Sequence, residues 1–132
     1  MPRRLRILVA DDYLEGADTL GLLLREDGYT VCVTHSGAEA ILAAPVFRPD
    51  VVFLDLMMPN TDGFKTLAEL QRQPVSENAV CVAYTGWADS ETIGKCKAAG
   101  FQHFLRKPAD LAQIEDILRA IVANRTDSND SA

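Results

Sequence analysis

The sequence is poor in cysteine and histidine, and it has no long apolar run. Only three cysteines (Cys32, Cys81 and Cys96) and two histidines occur among 132 residues, and none has the spacing of a zinc site. Because three cysteines cannot all pair within one chain, we expect free thiols and a reducing compartment. No apolar run reaches the roughly 20 residues of a membrane-spanning helix, and acidic residues follow the start too soon for a signal peptide. The expected location is the cytoplasm, away from any membrane.

Positive charge is also scarce. The sequence has thirteen Lys and Arg residues and nineteen Asp and Glu residues, which gives a formal net charge of −6. Nucleic acids and anionic membranes are bound through clustered Lys and Arg. The cluster Arg3, Arg4 and Arg6 is short and terminal, so we interpret it as a solvated lead-in to the first strand. Direct binding to nucleic acid is therefore not expected.

What the sequence does contain is a regular alternation of short apolar runs and longer helical patterns. With 48% apolar and 24% charged residues, it has the composition of one globular domain. We assign that domain to residues 1–123 and predict a disordered tail at 124–132, where apolar residues are missing. The five predicted strands are 5–10, 30–35, 50–54, 79–84 and 103–106.

Five helices are predicted between and after these strands from apolar spacing and end signals. The first ends at Gly28. The second opens with a capping box of Ser36 and Glu39 and should stop before Pro45. The third spans 63–73, the fourth ends at Gly100, and the fifth runs from Leu111 to Val122.

This alternation predicts an α/β fold: a doubly wound parallel sheet with helices on both faces, because parallel strands need helical crossovers. Such sheets bind ligands beyond the carboxyl ends of their strands. Polar residues follow four of the predicted strands: Asp11 with Asp12, Asp55, Thr85 and Lys107. Any one of them could be an ordinary loop residue, but four at one sheet edge indicate a site.

The chemistry of these residues favours metal-assisted phosphoryl transfer. Crowded carboxylates need a compensating cation, and an all-oxygen set suits Mg²⁺ or Mn²⁺. Asp55 could act as a nucleophile, since an ionised carboxylate needs no base. Lys107 could neutralise charge on the phosphoryl oxygens, and Thr85 could donate a hydrogen bond to one of them.

Four motifs in this order resemble a known family, the receiver domain of two-component response regulators. They are "ILVADD" at 7–12, "VVFLDLMMPNTDGF" at 51–64, "AYTG" at 83–86 and "LRKPAD" at 105–110, and the resemblance runs from about Leu5 to Val122. It implies a flavodoxin-like fold with five parallel strands in the order 2-1-3-4-5 and five helices.

Carried over position by position, the resemblance implies a role for each matching residue. Asp55 would be the phosphoacceptor; Asp11, Asp12, Asp55 and the backbone carbonyl of Met57 would hold Mg²⁺. Lys107 would act with Asp55 and Thr85 in phosphorylation, and Thr85 and Phe104 would be the switch residues. The remaining matches are Met57 and Trp87, which would modulate dephosphorylation, and Pro59, Gly63 and Pro108, which would be structural.

The resemblance also implies a signalling protein rather than an enzyme, although it would promote its own phosphorylation and dephosphorylation. The donor would be the phosphohistidine of a sensor histidine kinase or a histidine phosphotransfer protein. Phosphorylation would switch a partner-binding face formed by the fourth helix, the fifth strand and the fifth helix, toward a downstream protein that the sequence does not identify. It leaves open whether the receiver acts alone or belongs to a larger protein such as a hybrid kinase.

Three other functions were weighed. A phosphatase or dehalogenase with an aspartate nucleophile would carry a second Asp two positions later, where this chain has Met57. A flavodoxin-like electron carrier would have a phosphate-binding loop after the first strand, where this chain has "DDYLEG". A receiver-like docking module that is never phosphorylated is the alternative that remains.

Overall fold

The computed structural model describes residues 5–58, 61–74, 78–86, 89–107 and 109–130. Five parallel strands form the central sheet in the order β2-β1-β3-β4-β5, as the family resemblance implied. They are β1 Arg6–Ala10, β2 Thr30–Thr34, β3 Val51–Leu54, β4 Val80–Thr85 and β5 His103–Arg106. The helices are α1 Leu14–Glu26, α2 Gly37–Phe47, α3 Gly63–Arg72, α4 Ser90–Ala99 and α5 Leu111–Asp130.

The core has two halves, one on each face of the sheet. Successive residues of a strand point to opposite faces. Thus Val9 and Phe53 pack with α1 and α5 in one cluster, while Leu8 and Leu54 pack with α2, α3 and α4 in the other. The doubly wound arrangement is therefore confirmed, and buried strands with apolar residues on both faces explain the continuous apolar run at 51–54.

Helix α2 corrects one sequence prediction, because it does not stop before Pro45 but continues to Phe47. A proline inside a helix has no N–H for the carbonyl four residues earlier, which here belongs to Ile41. The Gln73 side chain donates to that carbonyl from Nε2 at 2.9 Å. At the end of the helix, the Arg6 guanidinium donates from Nε to the Phe47 carbonyl at 2.8 Å.

Helix α5 is longer than predicted. The predicted span ends at Val122, but the helix continues through Asp130. Ile114, Leu118 and Ile121 anchor its earlier turns in the core. Adding residues to an existing helix requires no new nucleation, so a helix can extend past its last buried turn even where the sequence is polar.

The predicted start of α2 and the predicted end of α4 are confirmed. Ser36 accepts from the Glu39 N–H at 3.1 Å, and the Glu39 carboxylate accepts from the His35 N–H, one residue earlier than a capping box requires. Gly100 ends α4 in a left-handed conformation, with φ 116°. Among the described residues, no helix combines the length and apolar character needed to cross a bilayer.

Candidate functional site

Three carboxylates meet at the carboxyl edge of the sheet. Asp11 and Asp55 are 2% and 4% exposed, respectively, while Asp12 is more open to solvent. Each of the three offers a carboxylate oxygen, and these oxygens lie within 4.8 Å of one another. The structure therefore brings together the three acidic residues that the sequence placed at two different strand ends.

Backbone hydrogen bonds that continue the strand ladders fix these residues in place. The Asp11 N–H donates to the Thr34 carbonyl at 3.1 Å, and the Asp55 N–H donates to the Ala10 carbonyl at 2.9 Å. Lys107 is held in the same way, since its N–H donates to the Thr85 carbonyl at 2.8 Å. The polar side chains thus stand on a rigid sheet edge rather than on mobile loops.

The Lys107 ammonium bridges the two buried carboxylates. Its Nζ lies 2.8 Å from Asp11 Oδ2 and 2.9 Å from Asp55 Oδ2. Burial alone would lower the pKa of Lys107, but the hydrogen bonds and negative charges of Asp11 and Asp55 outweigh burial and raise that pKa. Lys107 is therefore a fixed cation at this site.

Asp55 is less favourably placed as an anion. Burial is the main cause that raises the pKa of its carboxyl group, and the neighbouring Asp11 adds to the rise. The Met57 N–H, 2.9 Å from Asp55 Oδ1, and the Lys107 ammonium both oppose this rise. One lysine does not offset the charge of the carboxylates gathered here, so the site retains an excess of negative charge.

This donor set fits a hard divalent cation. Carboxylate oxygens are the ligands that Mg²⁺ prefers, and Mg²⁺ is commonly held by one or two carboxylates together with water. Lys107 donates to one oxygen of Asp11 and of Asp55, and the other oxygen of each accepts a backbone N–H, from Tyr13 and Met57 respectively. A carboxylate oxygen with one such partner still has a lone pair for a cation, and Asp12 is more open to solvent. The groups that fit the ion are these three carboxylates, and no histidine or cysteine belongs to the cluster.

Comparison with known proteins identifies the family. The family model of the response regulator receiver domain matches residues 7–119, which is most of the chain. This chain belongs to the response regulator receiver domain family. The match agrees with the resemblance that the four sequence motifs indicated.

Relatives and solved structures agree with this assignment. The transcriptional regulatory protein PdtaR of Mycobacterium tuberculosis is 30% identical over 122 residues, which are 92% of this chain and 56% of that protein. Response regulator MprA of Mycobacterium ulcerans is 32% identical over 127 residues, 96% of this chain and 54% of that protein. The chain thus spans little more than half the length of these two relatives.

Two solved structures share the fold. The signal receiver domain of a DNA-binding response regulator from Colwellia psychrerythraea 34H has a TM-score of 0.82 and 26% identity, and the alignment covers 90% of this chain and 98% of that one. Vibrio cholerae chemotaxis protein CheY4 has a TM-score of 0.85 and 24% identity, covering 90% and 99%. At this identity, the CheY4 comparison supports the fold alone.

The other residues expected in the receiver site are placed as follows. Thr85 is buried at the end of β4, with 4% of its surface exposed. Phe104 is half-buried in β5 and packs against the cluster beneath α2, α3 and α4. The Met57 side chain is 68% exposed at the rim of the site. Pro59, Trp87 and Pro108 lie outside the described residues.

Gly63, the first residue of α3, lies against the backbone of Asp55 and Leu56. A Cβ atom at this position would lie 2.9 Å from the Leu56 Cα atom and 3.2 Å from the Asp55 carbonyl oxygen. Met57–Met58 and Thr61–Asp62 pair as a two-residue antiparallel ladder just before it, which the sequence did not predict. The absence of a side chain at Gly63 therefore lets α3 start directly against the backbone that carries Asp55.

The sequence reasoning missed Tyr84. Its ring lies beside Lys107, with 4.9 Å between the ring centroid and Nζ. It also lines a groove of about 360 Å³ between α1 and α5, together with Tyr13 and Leu111. The sequence shows only that Tyr84 directly precedes Thr85. Its approach to Lys107 follows from the strand register, which places Tyr84 opposite Leu105, two residues before Lys107.

Proposed function

We propose that this receiver domain accepts a phosphoryl group on Asp55 from the phosphohistidine of a sensor histidine kinase or a histidine phosphotransfer protein. The observation that carries the proposal is the placement of Asp55. It is a buried carboxylate at the end of a central strand, hydrogen-bonded to Lys107 and gathered with Asp11 and Asp12. A carboxylate fixed in this way is a nucleophile that needs no separate base.

In the proposed step, an Asp55 oxygen attacks phosphorus and the bond between phosphorus and the donor's imidazole nitrogen breaks. The donor histidine leaves with the electron pair of that bond, and Asp55 becomes an acyl phosphate. The Met57 N–H and the Lys107 ammonium orient the carboxylate before attack. Lys107 then faces the new negative charge, and the Thr85 hydroxyl donates to a phosphoryl oxygen.

We assign the Mg²⁺ site to Asp11, Asp12, Asp55 and the backbone carbonyl of Met57, with Mn²⁺ as a substitute. A bound ion supplies positive charge to the phosphoryl oxygens during transfer. The support is the carboxylate cluster and its uncompensated negative charge. The chain's own part is to hold three carboxylate oxygens within 4.8 Å of one another.

The proposed output is a change in the face formed by α4, β5 and α5. Thr85 and Phe104 would be its two moving parts, because one lies at the end of β4 and the other lies half-buried in the adjacent β5. New charge at Asp55 would bias the two positions of these side chains and thereby change which protein binds. We propose a cytoplasmic location for these events, in line with the three free thiols.

Met57 and Trp87 are proposed to shield the acyl phosphate from water and slow its hydrolysis. The exposed Met57 side chain stands next to the acceptor and could cover it. Replacing each residue by alanine should shorten the phosphoryl lifetime severalfold. An unchanged lifetime in Trp87→Ala would remove that residue from the proposal.

Intact mass after incubation with acetyl phosphate and Mg²⁺ tests the central proposal. Wild type should gain one phosphoryl group that is stable to acid and labile to base, and Asp55→Asn should gain none. Asp62→Asn is the matched control, since Asp62 is an exposed carboxylate in the same loop and asparagine can also accept the Phe64 N–H at the start of α3. A wild type that stays unmodified, even with histidine kinases as donors, would favour the unphosphorylated docking module.

A further inference from the structure

The Lys107 ammonium has a third neighbour besides the two carboxylates. It donates to Asp11 and Asp55, and the ring of Tyr84 lies 4.9 Å from the same nitrogen. We propose that Tyr84 is a positioning residue, which holds the Lys107 ammonium against the two carboxylates and thereby speeds phosphoryl transfer to Asp55. This inference rests on the proposed function of Asp55.

The sheet register explains why these two side chains meet. Tyr84 lies directly opposite Leu105 in the adjacent parallel strand, and both residues belong to the core half beneath α1 and α5. Residues two apart on a strand point to the same face, so Lys107 leaves the end of β5 on the side of Leu105 and Tyr84. A side chain at position 84 therefore borders the path that the lysine must take to the site.

An aromatic ring suits this position for an electrostatic reason. The face of a ring is electron-rich and attracts an ammonium group, whereas an aliphatic side chain offers only contact. Lysine has a flexible four-carbon stem and loses much rotamer freedom when it is fixed. Lys107 is still 24% exposed, so its ammonium has a path to water. The ring favours conformations in which the ammonium stays at the site.

The contact uses the ring and does not require the hydroxyl. This distinction provides a conservative variant, since Tyr84→Phe keeps the ring and Tyr84→Leu removes it. Tyr29→Leu is the matched control, because Tyr29 packs against the same core half but follows α1 near the opposite edge of the sheet. It reports the cost of losing a partly buried tyrosine without changing the neighbours of Lys107.

The first measurement is the rate of Asp55 phosphorylation by acetyl phosphate at saturating Mg²⁺, as a function of donor concentration. Tyr84→Leu should lower the maximal rate about fivefold, the size expected from one cation–π contact. Tyr84→Phe should restore it to within about twofold of wild type, and Tyr29→Leu should match wild type. In a Lys107→Met background, Tyr84→Leu should cause no further loss.

The second measurement does not depend on phosphorylation. Lysines are acetylated with an activated ester, and mass spectrometry compares Lys107 with the exposed Lys95 in the same sample. Lys107 should be labelled about fivefold faster in Tyr84→Leu than in wild type or Tyr84→Phe, because the ammonium spends more time in solvent. Thermal melts verify that each variant is folded, and Tyr84→Met replaces Tyr84→Leu if the latter does not fold.

Three results would overturn the inference: a wild-type rate in Tyr84→Leu, a rate in Tyr84→Phe as low as in Tyr84→Leu, or an equal loss when Lys107 is methionine. A wild type that accepts no phosphoryl group would overturn the proposed function instead. In that case the labelling experiment tests the contact between Tyr84 and Lys107 by itself. Faster labelling of Lys107 in Tyr84→Leu than in wild type supports the contact, and equal labelling rejects it.

Discussion

Lys107 Nζ lies 2.9 Å from Asp55 Oδ2, although the two residues are 52 positions apart in the chain. Asp11 shares the same ammonium at 2.8 Å. One cation therefore serves two buried carboxylates, with a third carboxylate close by. Folding gathers like charges that an unfolded chain would keep apart, and this cost is the basis of the first two predictions.

Asp55→Asn should make the protein more stable at neutral pH in the absence of metal. Burial raises the pKa of Asp55 above its value in the unfolded chain, so ionisation of this group costs folding free energy. The cost is absent well below about pH 4, grows as the pH rises, and is complete above the raised pKa. We expect the free energy of unfolding to rise by about 1 kcal/mol at pH 7.5.

Urea unfolding with EDTA, at pH 7.5 and near pH 4, measures this effect. The advantage of Asp55→Asn should be smaller at the lower pH, because a larger fraction of wild-type Asp55 is protonated there. Asp62→Asn, which changes an exposed capping carboxylate, should show little gain at either pH. An Asp55→Asn variant that is less stable than wild type at pH 7.5 would contradict the predicted cost.

Mg²⁺ should stabilise the folded chain through the carboxylate cluster. At a concentration ten times the dissociation constant, the ion adds about 1.4 kcal/mol to the free energy of unfolding, or a few degrees in Tm. Asp12→Asn should reduce this gain, because it removes a ligand with little change in the buried part of the site. Melting curves with and without Mg²⁺, at constant ionic strength, provide the measurement, and an equal gain in Asp12→Asn would exclude that residue as a ligand.

Gly63→Ala should destabilise the fold and disturb the acceptor loop. The added methyl group would lie 2.9 Å from the Leu56 Cα atom, so backbone must move. Overpacking of this kind costs about 2 kcal/mol. The phosphorylation rate should fall as well, because the displaced backbone carries Asp55.

Gly94→Ala is the matched comparison for this substitution. Gly94 is also helical, but a Cβ atom there would have open space around it. The same change should therefore stabilise the protein by about 1 kcal/mol through helix propensity. Urea unfolding of both variants tests the pair, and the steric argument fails if the two substitutions act in the same direction.

Gln73→Leu should destabilise the protein by about 1 kcal/mol, because it removes the donor to the Ile41 carbonyl. That carbonyl needs an outside donor only because Pro45 lacks an N–H. In a Pro45→Ala background the helix can supply its own donor, so Gln73→Leu should cost clearly less. A double-mutant cycle of urea unfolding checks this coupling, and equal costs in both backgrounds would show that Gln73 acts in another way.

The sequence predicted most of the fold because its short apolar strand runs and its helically spaced apolar residues are both clear. The alternation of apolar runs and helical stripes was sufficient to predict the five sheet strands and the convergence of Asp11, Asp55 and Lys107 at one edge. The order of the strands was predicted from the family resemblance. These features depend on local patterns and on the general geometry of parallel sheets.

The features that the sequence analysis did not predict depend on contacts between distant parts of the chain. Where α2 passes Pro45, the Ile41 carbonyl accepts from the side chain of Gln73, which lies 32 positions away in the chain. The length of α5 depends on the packing of its earlier turns rather than on its polar end. The contact of Tyr84 with Lys107 requires the register between two strands, which composition and spacing do not specify.

The position of β5 at the edge of the sheet, next to β4, determines how the site can come apart. Lys107 follows directly after this edge strand, whereas Asp11 and Asp55 follow interior strands. Because β5 pairs with only one neighbouring strand, we expect it to open locally at a lower free energy than the whole domain unfolds. A brief detachment of β5 would withdraw the only cation that contacts the two buried carboxylates in the described structure. Hydrogen exchange of the β5 amides would measure how often the site opens, and we expect these openings to be more frequent than unfolding of the whole domain.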